Sequence, residues 1–115
     1  MNSLMAACNY AATLTDLQRF EEGKSVLRKT IPVARRVFGR EHRLTLKMRW
    51  NYAKALYDDD GATLDGLREA MTTLEEIEPI ARRVLGSAHP VTRGIGNDLG
   101  TFRAALRETP SPGVA

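Results

Sequence analysis

The stretch Ala34–His42 (ARRVFGREH) returns 47 residues later as Ala81–His89 (ARRVLGSAH). Residues on both sides of this stretch match at the same offset, namely Glu22 with Glu69, Leu27 with Leu74, Pro32 with Pro79 and Thr45 with Thr92. A shorter series, Asn-Tyr-Ala, begins at both Asn9 and Asn51. Similarity within one chain at such a period is typical of stacked supersecondary units that share a continuous core. The sequence therefore predicts a repeat architecture.

The spacing of apolar residues predicts five helices. Within each segment, apolar residues recur every three or four positions, which is the period of one helical face. With their caps, the expected helices cover about residues 2–14, 15–38, 42–57, 63–85 and 90–107. The expected boundary residues are Thr15 or Asp16 and Thr63 as N-terminal caps, His42 or Thr45 at the start of the third helix, and Gly39 and Gly86 in left-handed conformation at helix ends.

Two of the expected helices contain a proline, because Pro32 and Pro79 occupy equivalent positions. An internal proline removes one backbone hydrogen bond and presses against the carbonyl group four residues earlier. We therefore expect both helices to be bent, with the convex side towards solvent.

The spacing from the Asn-Tyr-Ala series to the repeated stretch is 25 residues in the first unit and 30 in the second. This difference places five additional residues between positions 58 and 66.

The composition excludes several functional classes. The chain has 115 residues, of which 43% are hydrophobic, and this suits one globular domain. The formal net charge is +3 with both signs interspersed, so we expect no nucleic-acid-binding stripe. The single cysteine, Cys8, cannot form an intramolecular disulfide and suits a reducing compartment. No signal peptide or apolar span of about 18 residues is evident, so we expect a cytoplasmic protein that binds no membrane.

Motifs in both units resemble the tetratricopeptide repeat, in particular the long variety found in kinesin light chains and in NB-ARC-type receptor-like proteins. The second unit carries Asn51-Tyr52-Ala53 with Leu56, Glu69-Ala70 with Leu74, and Arg82–Pro90 with Thr92. The first unit carries Asn9-Tyr10-Ala11 with Leu14, Glu22-Gly23 with Leu27, and Arg36–His42 with Thr45. Four positions depart from the family pattern. Arg43 stands where proline is usual and Gly23 where alanine is usual, and Asp98 and Gly100 weaken the match of the third unit.

The resemblance and the helical periodicity together predict an all-α fold, an antiparallel helix-hairpin α-solenoid of about two and a half repeats. Repeat one is expected at about residues 3–41, repeat two at about 45–88 and a partial third repeat at about 90–107, followed by a disordered tail at 108–115. Small residues at Gly23, Ala53 and Ala70 would let the two helices of a hairpin cross closely.

In the family that the chain resembles, the first helix of each pair lines a concave groove that receives an extended peptide. The resemblance carries the groove asparagine onto Asn9, Asn51 and Asn97. Residues three or four positions away share the same helical face and add Lys47, Lys54 and Arg93 to the candidate groove. A groove with these cations would prefer an acidic peptide segment or a terminal carboxylate. The alternative is that all six side chains are passive, solvated surface.

Trp50, the single tryptophan, has two interpretations. It could anchor a ligand side chain in the groove, or it could fill the seam to the preceding repeat. We favour the seam.

No pattern for catalysis, a metal or a cofactor emerges from the sequence. His42 and His89 lack the nearby ligands that zinc requires, and we expect them to start helices. The run Asp58–Gly61 has apolar residues where an EF-hand needs acidic ones. We therefore expect no enzyme and no cofactor, but a protein-interaction module. The alternative is a structural element that forms homo-oligomers through exposed terminal helices bearing Leu4 and Phe102.

Overall fold

The computed structural model describes residues 3–59 and 61–108, and these residues form five helices and no strand. The helices are α1 (Ser3–Asp16), α2 (Phe20–Phe38), α3 (Arg43–Asp58), α4 (Leu64–Leu85) and α5 (Pro90–Glu108). The predicted all-α helical-repeat fold is confirmed. The expected disordered tail at 108–115 lies outside the described residues, apart from the last helical residue, and so does Asp60 of the acidic run.

The helices pack in chain order, and they form two layers. Each helix contacts the next one along the chain; in addition, α1 contacts α3 and α3 contacts α5. In contrast, no Cα atom of α2 lies within 8 Å of a Cα atom of α4. The layer of α1, α3 and α5 is therefore the tighter, inner side of the stack, and α2 and α4 diverge on the outer side.

Two hydrophobic clusters form the core, and α3 contributes to both. Leu44 and Met48 of α3 lie in the cluster shared with α1 and α2. Leu46, Ala53 and Leu56 lie in the cluster shared with α4 and α5. We call these two sides of α3 the backward face and the forward face. Each face buries apolar surface against a different neighbour, as stacked repeats require.

Small residues lie where the helices of a hairpin cross, as predicted. A Cβ atom built on Gly23 would lie 3.1 Å from Oγ1 of Thr15 and 3.4 Å from the carbonyl oxygen of Ala11, so α2 crosses α1 at close range. Ala53 and Ala70 are fully buried at the corresponding crossing of α3 and α4.

The corners after α2 and α4 have the same construction. Gly39 and Gly86 have φ values of 92° and 96°, and their N–H groups donate to the carbonyl oxygens of Arg35 and Arg82, respectively. Their ψ values of 160° and 154° differ from the left-handed helical conformation expected from the sequence and belong to a region that essentially only glycine occupies.

The histidine after each corner glycine starts the next helix, as predicted. Nδ1 of His42 accepts from the N–H of Leu44 over 3.0 Å, and Nδ1 of His89 accepts from the N–H of Val91 over 3.1 Å. Because both caps match and α3 and α5 continue without interruption, the offset of 47 residues holds along the two helices. Asp98, rather than Asn97, is therefore the structural equivalent of Asn51.

The prediction that Thr15 or Asp16 caps the N-terminus of α2 is wrong. Thr15 and Asp16 belong to α1, and Oγ1 of Thr15 donates to the carbonyl oxygen of Ala11 within that helix. The residue before α2 is Arg19, which makes no side-chain cap bond. In contrast, Thr63 caps α4 as predicted, with its side chain accepting from the N–H of Gly66.

The five additional residues of the second unit lie where the spacing placed them, and they divide into two groups. The loop at 59–63 is two residues longer than the loop at 17–19. The other three residues extend the start of α4, which begins 17 residues before Ala81, whereas α2 begins 14 residues before Ala34. Pro32 and Pro79 lie inside α2 and α4 and are exposed. The bend expected at each proline stays a prediction.

Candidate functional site

A cavity of about 440 Å³ opens beside the first two inner helices, near the corner between α2 and α3. It is lined by Met5, Asn9, Phe38, His42, Arg43, Leu44 and Lys47. Two of the sequence-predicted groove residues, Asn9 and Lys47, thus meet at one site. Arg43 adds a second cation, and the lining contains no acidic residue. The cavity therefore combines positive charge with an amide group and apolar surface.

The corner between α2 and α3 fixes one wall of this cavity. The rings of Phe38 and His42 are stacked, with centroids 4.6 Å apart and planes inclined by 24°. The same His42 ring caps α3 through its Nδ1 atom. Because one nitrogen is engaged in the cap, the orientation of the imidazole ring is set before any ligand arrives.

Asn51 does not line the cavity but connects the two inner helices beside it. Its Nδ2 atom donates to Sγ of Cys8 on α1 over 3.6 Å. Burial raises the pKa of the Cys8 thiol, while the charge of Lys47 and the hydrogen bond from Asn51 act in the opposite direction. Cys8 is buried, with 2% of its surface exposed. This arrangement gives Asn51 a structural contact in addition to any contact with a ligand.

Trp50 fills a seam between inner helices, but the seam to the following helix rather than the preceding repeat. Its Nε1 atom donates to Oδ2 of Asp98 on α5 over 2.7 Å. A Cβ atom built on Gly94 would lie 2.5 Å from Cζ2 of Trp50, so the indole ring rests directly on the backbone of α5. The ammonium group of Lys54 lies 5.3 Å from the centroid of the ring. Lys54 is therefore engaged with Trp50.

Asp98 is a residue of this face that the sequence analysis missed. The strict offset of 47 residues from Asn51 would have found it, whereas matching asparagine to asparagine selected Asn97, one residue earlier. Its carboxylate also acts on Asp58: desolvation raises the pKa of Asp58, the charge of Lys54 lowers it, and the charge of Asp98 raises it. The α3–α5 end of the inner layer thus carries both signs of charge.

Arg93 and Asn97 lie apart from the cavity beside α1 and α3. Both are exposed on α5, and neither lines that cavity. At the offset of 47 residues, Asn97 corresponds to Trp50. Its side chain therefore points about 100° away from that of residue 98, which is the position equivalent to Asn51. The predicted residues therefore do not form one continuous site: Asn9 and Lys47 meet between α1 and α3, whereas Arg93 and Asn97 lie on α5, on the other side of α3.

Neither a membrane-spanning helix nor a cluster of metal-binding side chains is found among the described residues. Across residues 3–59 and 61–108, every helix is too short or too polar to cross a bilayer. The same residues contain no group of three or more histidine, cysteine or acidic side chains placed to hold a metal ion. His42 and His89 each use Nδ1 to cap a helix, as expected.

Comparison with known protein families gives a match in the first part of the chain. Residues 3–44 match the family model of the tetratricopeptide repeat. This segment spans α1, α2 and the start of α3, and therefore the whole first hairpin with its glycine–histidine corner. Neither a search of curated proteins nor a search of solved structures gave a match.

Proposed function

The protein is a tetratricopeptide repeat protein, and we propose that the cavity beside α1 and α3 binds an extended, acidic segment of a partner protein. Repeats of this family generally mediate protein–protein interactions, and they are not a catalytic type. The place of binding and the chemistry of the bound segment are our proposal.

The observation that carries the proposal is the charge of the cavity. Arg43 and Lys47 line it, and no acidic side chain does. Two cations without an opposing carboxylate favour an anionic ligand group, and they do so most strongly inside a concave surface where water is partly excluded. An aspartate or glutamate side chain of an extended peptide supplies that group.

The other lining residues define what surrounds the acidic group. Asn9 offers two donors and one acceptor and can pair with the backbone of an extended peptide. Met5, Phe38 and Leu44 provide apolar surface. We therefore propose a segment in which an acidic residue stands next to an apolar one.

The far end of the inner layer contributes less to this preference. Lys54 is paired with the ring of Trp50, and the carboxylates of Asp58 and Asp98 lie nearby. These opposing charges reduce the attraction for an anion at that end. We accordingly place the acidic residue of the ligand beside Lys47 rather than beside Lys54, with Asn51 and Asn97 as outer contacts.

A peptide array tests the proposal. Extended peptides carrying aspartate or glutamate beside leucine or phenylalanine are compared with matched peptides carrying asparagine or glutamine. The doubly substituted variant Asn9→Ala with Lys47→Glu should bind the acidic peptides at least about tenfold more weakly, because a favourable charge becomes a repulsive one. Lys29→Glu, an exposed site on α2, provides the matched control and should change little.

Two results would contradict the proposal. One is equal binding of the acidic and the amide peptides by the unchanged protein. The other is equal binding of the acidic peptides by the doubly substituted variant and the Lys29→Glu control, with both variants shown to be folded by circular dichroism.

The structural alternative, self-assembly through the terminal helices, retains one supporting observation. Phe102 is buried, with 3% of its surface exposed, and stacks on Tyr57 with ring centroids 3.9 Å apart, so it is not available for pairing. At the other end, 54% of the surface of Tyr10 on α1 is exposed, and so is 62% of Leu17 in the turn after α1. Light scattering at several concentrations separates the two functions: Tyr10→Asp should dissolve an oligomer formed through α1.

We further propose a cytoplasmic partner, because Cys8 is a free thiol. The relationship to the long repeats of kinesin light chains and NB-ARC-type proteins stays a prediction.

A further inference from the structure

One face of α5 carries a row of arginines and glycines. Its members are exposed and are spaced alternately by three and four residues, which places them on a single stripe of the helix. They are Arg93, Gly96, Gly100, Arg103 and Arg107. We call this stripe the basic face of α5.

The basic face corresponds to the forward face of α3. At the offset of 47 residues, Leu46 becomes Arg93, Ala53 becomes Gly100 and Leu56 becomes Arg103. In α3 these positions are buried against α4 in one core cluster. In α5 no helix of residues 3–59 and 61–108 covers them. The basic face is thus the place where a helix packs in the preceding unit.

The surface along this face leaves room for a helix. A Cβ atom built on Gly96 or Gly100 would meet no atom within 4 Å, so another backbone can approach closely there. Beside Gly100, a cavity of about 350 Å³ opens between α4 and α5, where Met71 and Leu106 provide apolar surface. The groove therefore offers close approach along the glycines and apolar contacts at one side.

The charge of the face indicates the kind of helix. Arg93 and Arg107 form no ion pair with any described residue, and Arg103 makes only a long contact of 3.4 Å with Glu75, with both side chains about half exposed. The protein itself contains one arginine on this side of an inner helix that is paired with the covering helix. Arg49, on the forward face of α3, pairs with Glu76 of the covering helix α4.

From this equivalence we propose that the basic face of α5 docks an amphipathic helix of a partner protein whose acidic side chains pair with Arg93, Arg103 and Arg107. The docked helix occupies on α5 the place that α4 occupies on α3. This site is separate from the cavity beside α1 and α3, so the two can bind different segments.

The test uses the full chain and synthetic helical peptides of about 18 residues, which is five turns. One peptide carries leucines on one face flanked by glutamates, and its counterpart carries lysines in place of the glutamates. Fluorescence anisotropy should show that the glutamate peptide binds at least about tenfold more tightly and that added salt weakens this binding.

Variants of the protein locate the site. Arg93→Glu with Arg103→Glu should lower the affinity for the glutamate peptide at least about tenfold. Lys29→Glu with Arg68→Glu makes the same change of charge at exposed positions on α2 and α4 and should leave the affinity unchanged. Gly100→Leu should block the close approach and weaken binding about tenfold, while its thermal midpoint stays at or above that of the unchanged protein because leucine is the better helix former.

Several results would overturn the proposal. One is equal affinity of the unchanged protein for the glutamate and the lysine peptide. Another is equal affinity for the glutamate peptide of the variant with Arg93→Glu and Arg103→Glu and of the control with Lys29→Glu and Arg68→Glu. Preferred binding of a DNA duplex of about 20 base pairs would assign the face to nucleic acid. A concentration-dependent dimer that the Arg93 and Arg103 substitutions dissolve would assign it to a second copy of this chain. The Asn9 and Lys47 variant should bind the glutamate helix normally, so failure here is distinguishable from failure of the peptide groove.

Discussion

Thr45 donates a hydrogen bond from Oγ1 to the carbonyl oxygen of Ala34 over 3.4 Å. Thr92, its equivalent in the next unit, is also buried, but its Oγ1 has no partner among the described residues. The two units thus share a residue and a position but differ in one hydrogen bond.

This difference predicts opposite effects of one substitution. Thr92→Val should leave the free energy of unfolding unchanged or raise it by up to about 1 kcal/mol, because it removes an unpaired buried hydroxyl group without changing the shape of the side chain. Thr45→Val should lower it by about 0.5–1 kcal/mol, because it breaks a hydrogen bond that is already long. Urea denaturation of both variants measures the difference, and equal effects would contradict the assignment.

A second pair of substitutions tests the contact between Trp50 and α5. Gly94→Ala should lower the free energy of unfolding by about 1–3 kcal/mol, because the new methyl group would overlap the indole ring. Gly96→Ala, two residues away, enters open space and should raise it by about 0.5–1 kcal/mol. Because Trp50 is the single tryptophan, its fluorescence should shift in the first variant only. A shift in both variants would refute the close contact.

The turn between α1 and α2 contains a residue in an unfavourable conformation. Gln18 has φ of 63°, in the left-handed region that favours glycine, and the N–H of Arg19 donates to the carbonyl oxygen of Leu14 around it. Gln18→Gly should therefore raise the free energy of unfolding by about 0.5–1 kcal/mol, and the thermal midpoint should rise with it. Gln18→Ala, which keeps a Cβ atom, serves as the control and should bring no such gain.

The loop after α3 predicts a dependence of stability on pH. The N–H of Gly61 and, next, the side chain of Lys24 hold the pKa of Asp59 below its ordinary value. A carboxylate whose pKa is lower in the folded state contributes stability above its unfolded pKa of about 4, and this contribution is lost as the pH falls through the folded pKa. The stability of the unchanged protein should therefore fall below about pH 4.

Asp59→Asn provides the comparison for this prediction. The variant should be less stable at pH 7 and should lose less stability between pH 5 and pH 2 than the unchanged protein. Lys24 retains its ion pair with Glu21 at 2.8 Å, so the side chain is not left unpaired in the variant. Parallel acid-denaturation curves for the two proteins would rule out the role of Asp59.

Local signals in the sequence determined the helix corners. His42 and His89 each start a helix by accepting a hydrogen bond from the backbone N–H two residues later. A contact of this kind depends on only a few neighbouring residues. The cap of α2 was wrong for a related reason: Thr15 satisfied its hydroxyl group within α1 instead of capping the next helix. Two local hydrogen bonds competed for the same side chain, and the sequence did not decide between them.

Contacts between distant helices were harder to predict. Trp50 and Asp98 are 48 residues apart, and their hydrogen bond depends on how α5 is rotated against α3. A difference of one residue turns a helical side chain by about 100°, so matching Asn51 to Asn97 instead of Asp98 changed the predicted face. The two residues of the cavity, Asn9 and Lys47, came together because they belong to inner helices that contact each other directly.

The double role of α3 has a consequence for how the molecule opens. Within the described part of the chain, it is the helix that both core clusters share, and Tyr52 packs against the two of them. Either end can fray while the opposite cluster stays intact, but melting α3 dissolves both at once. Amide protons should accordingly exchange most slowly in α3. A ligand held against this helix therefore restrains the global transition and not only the end at which it sits.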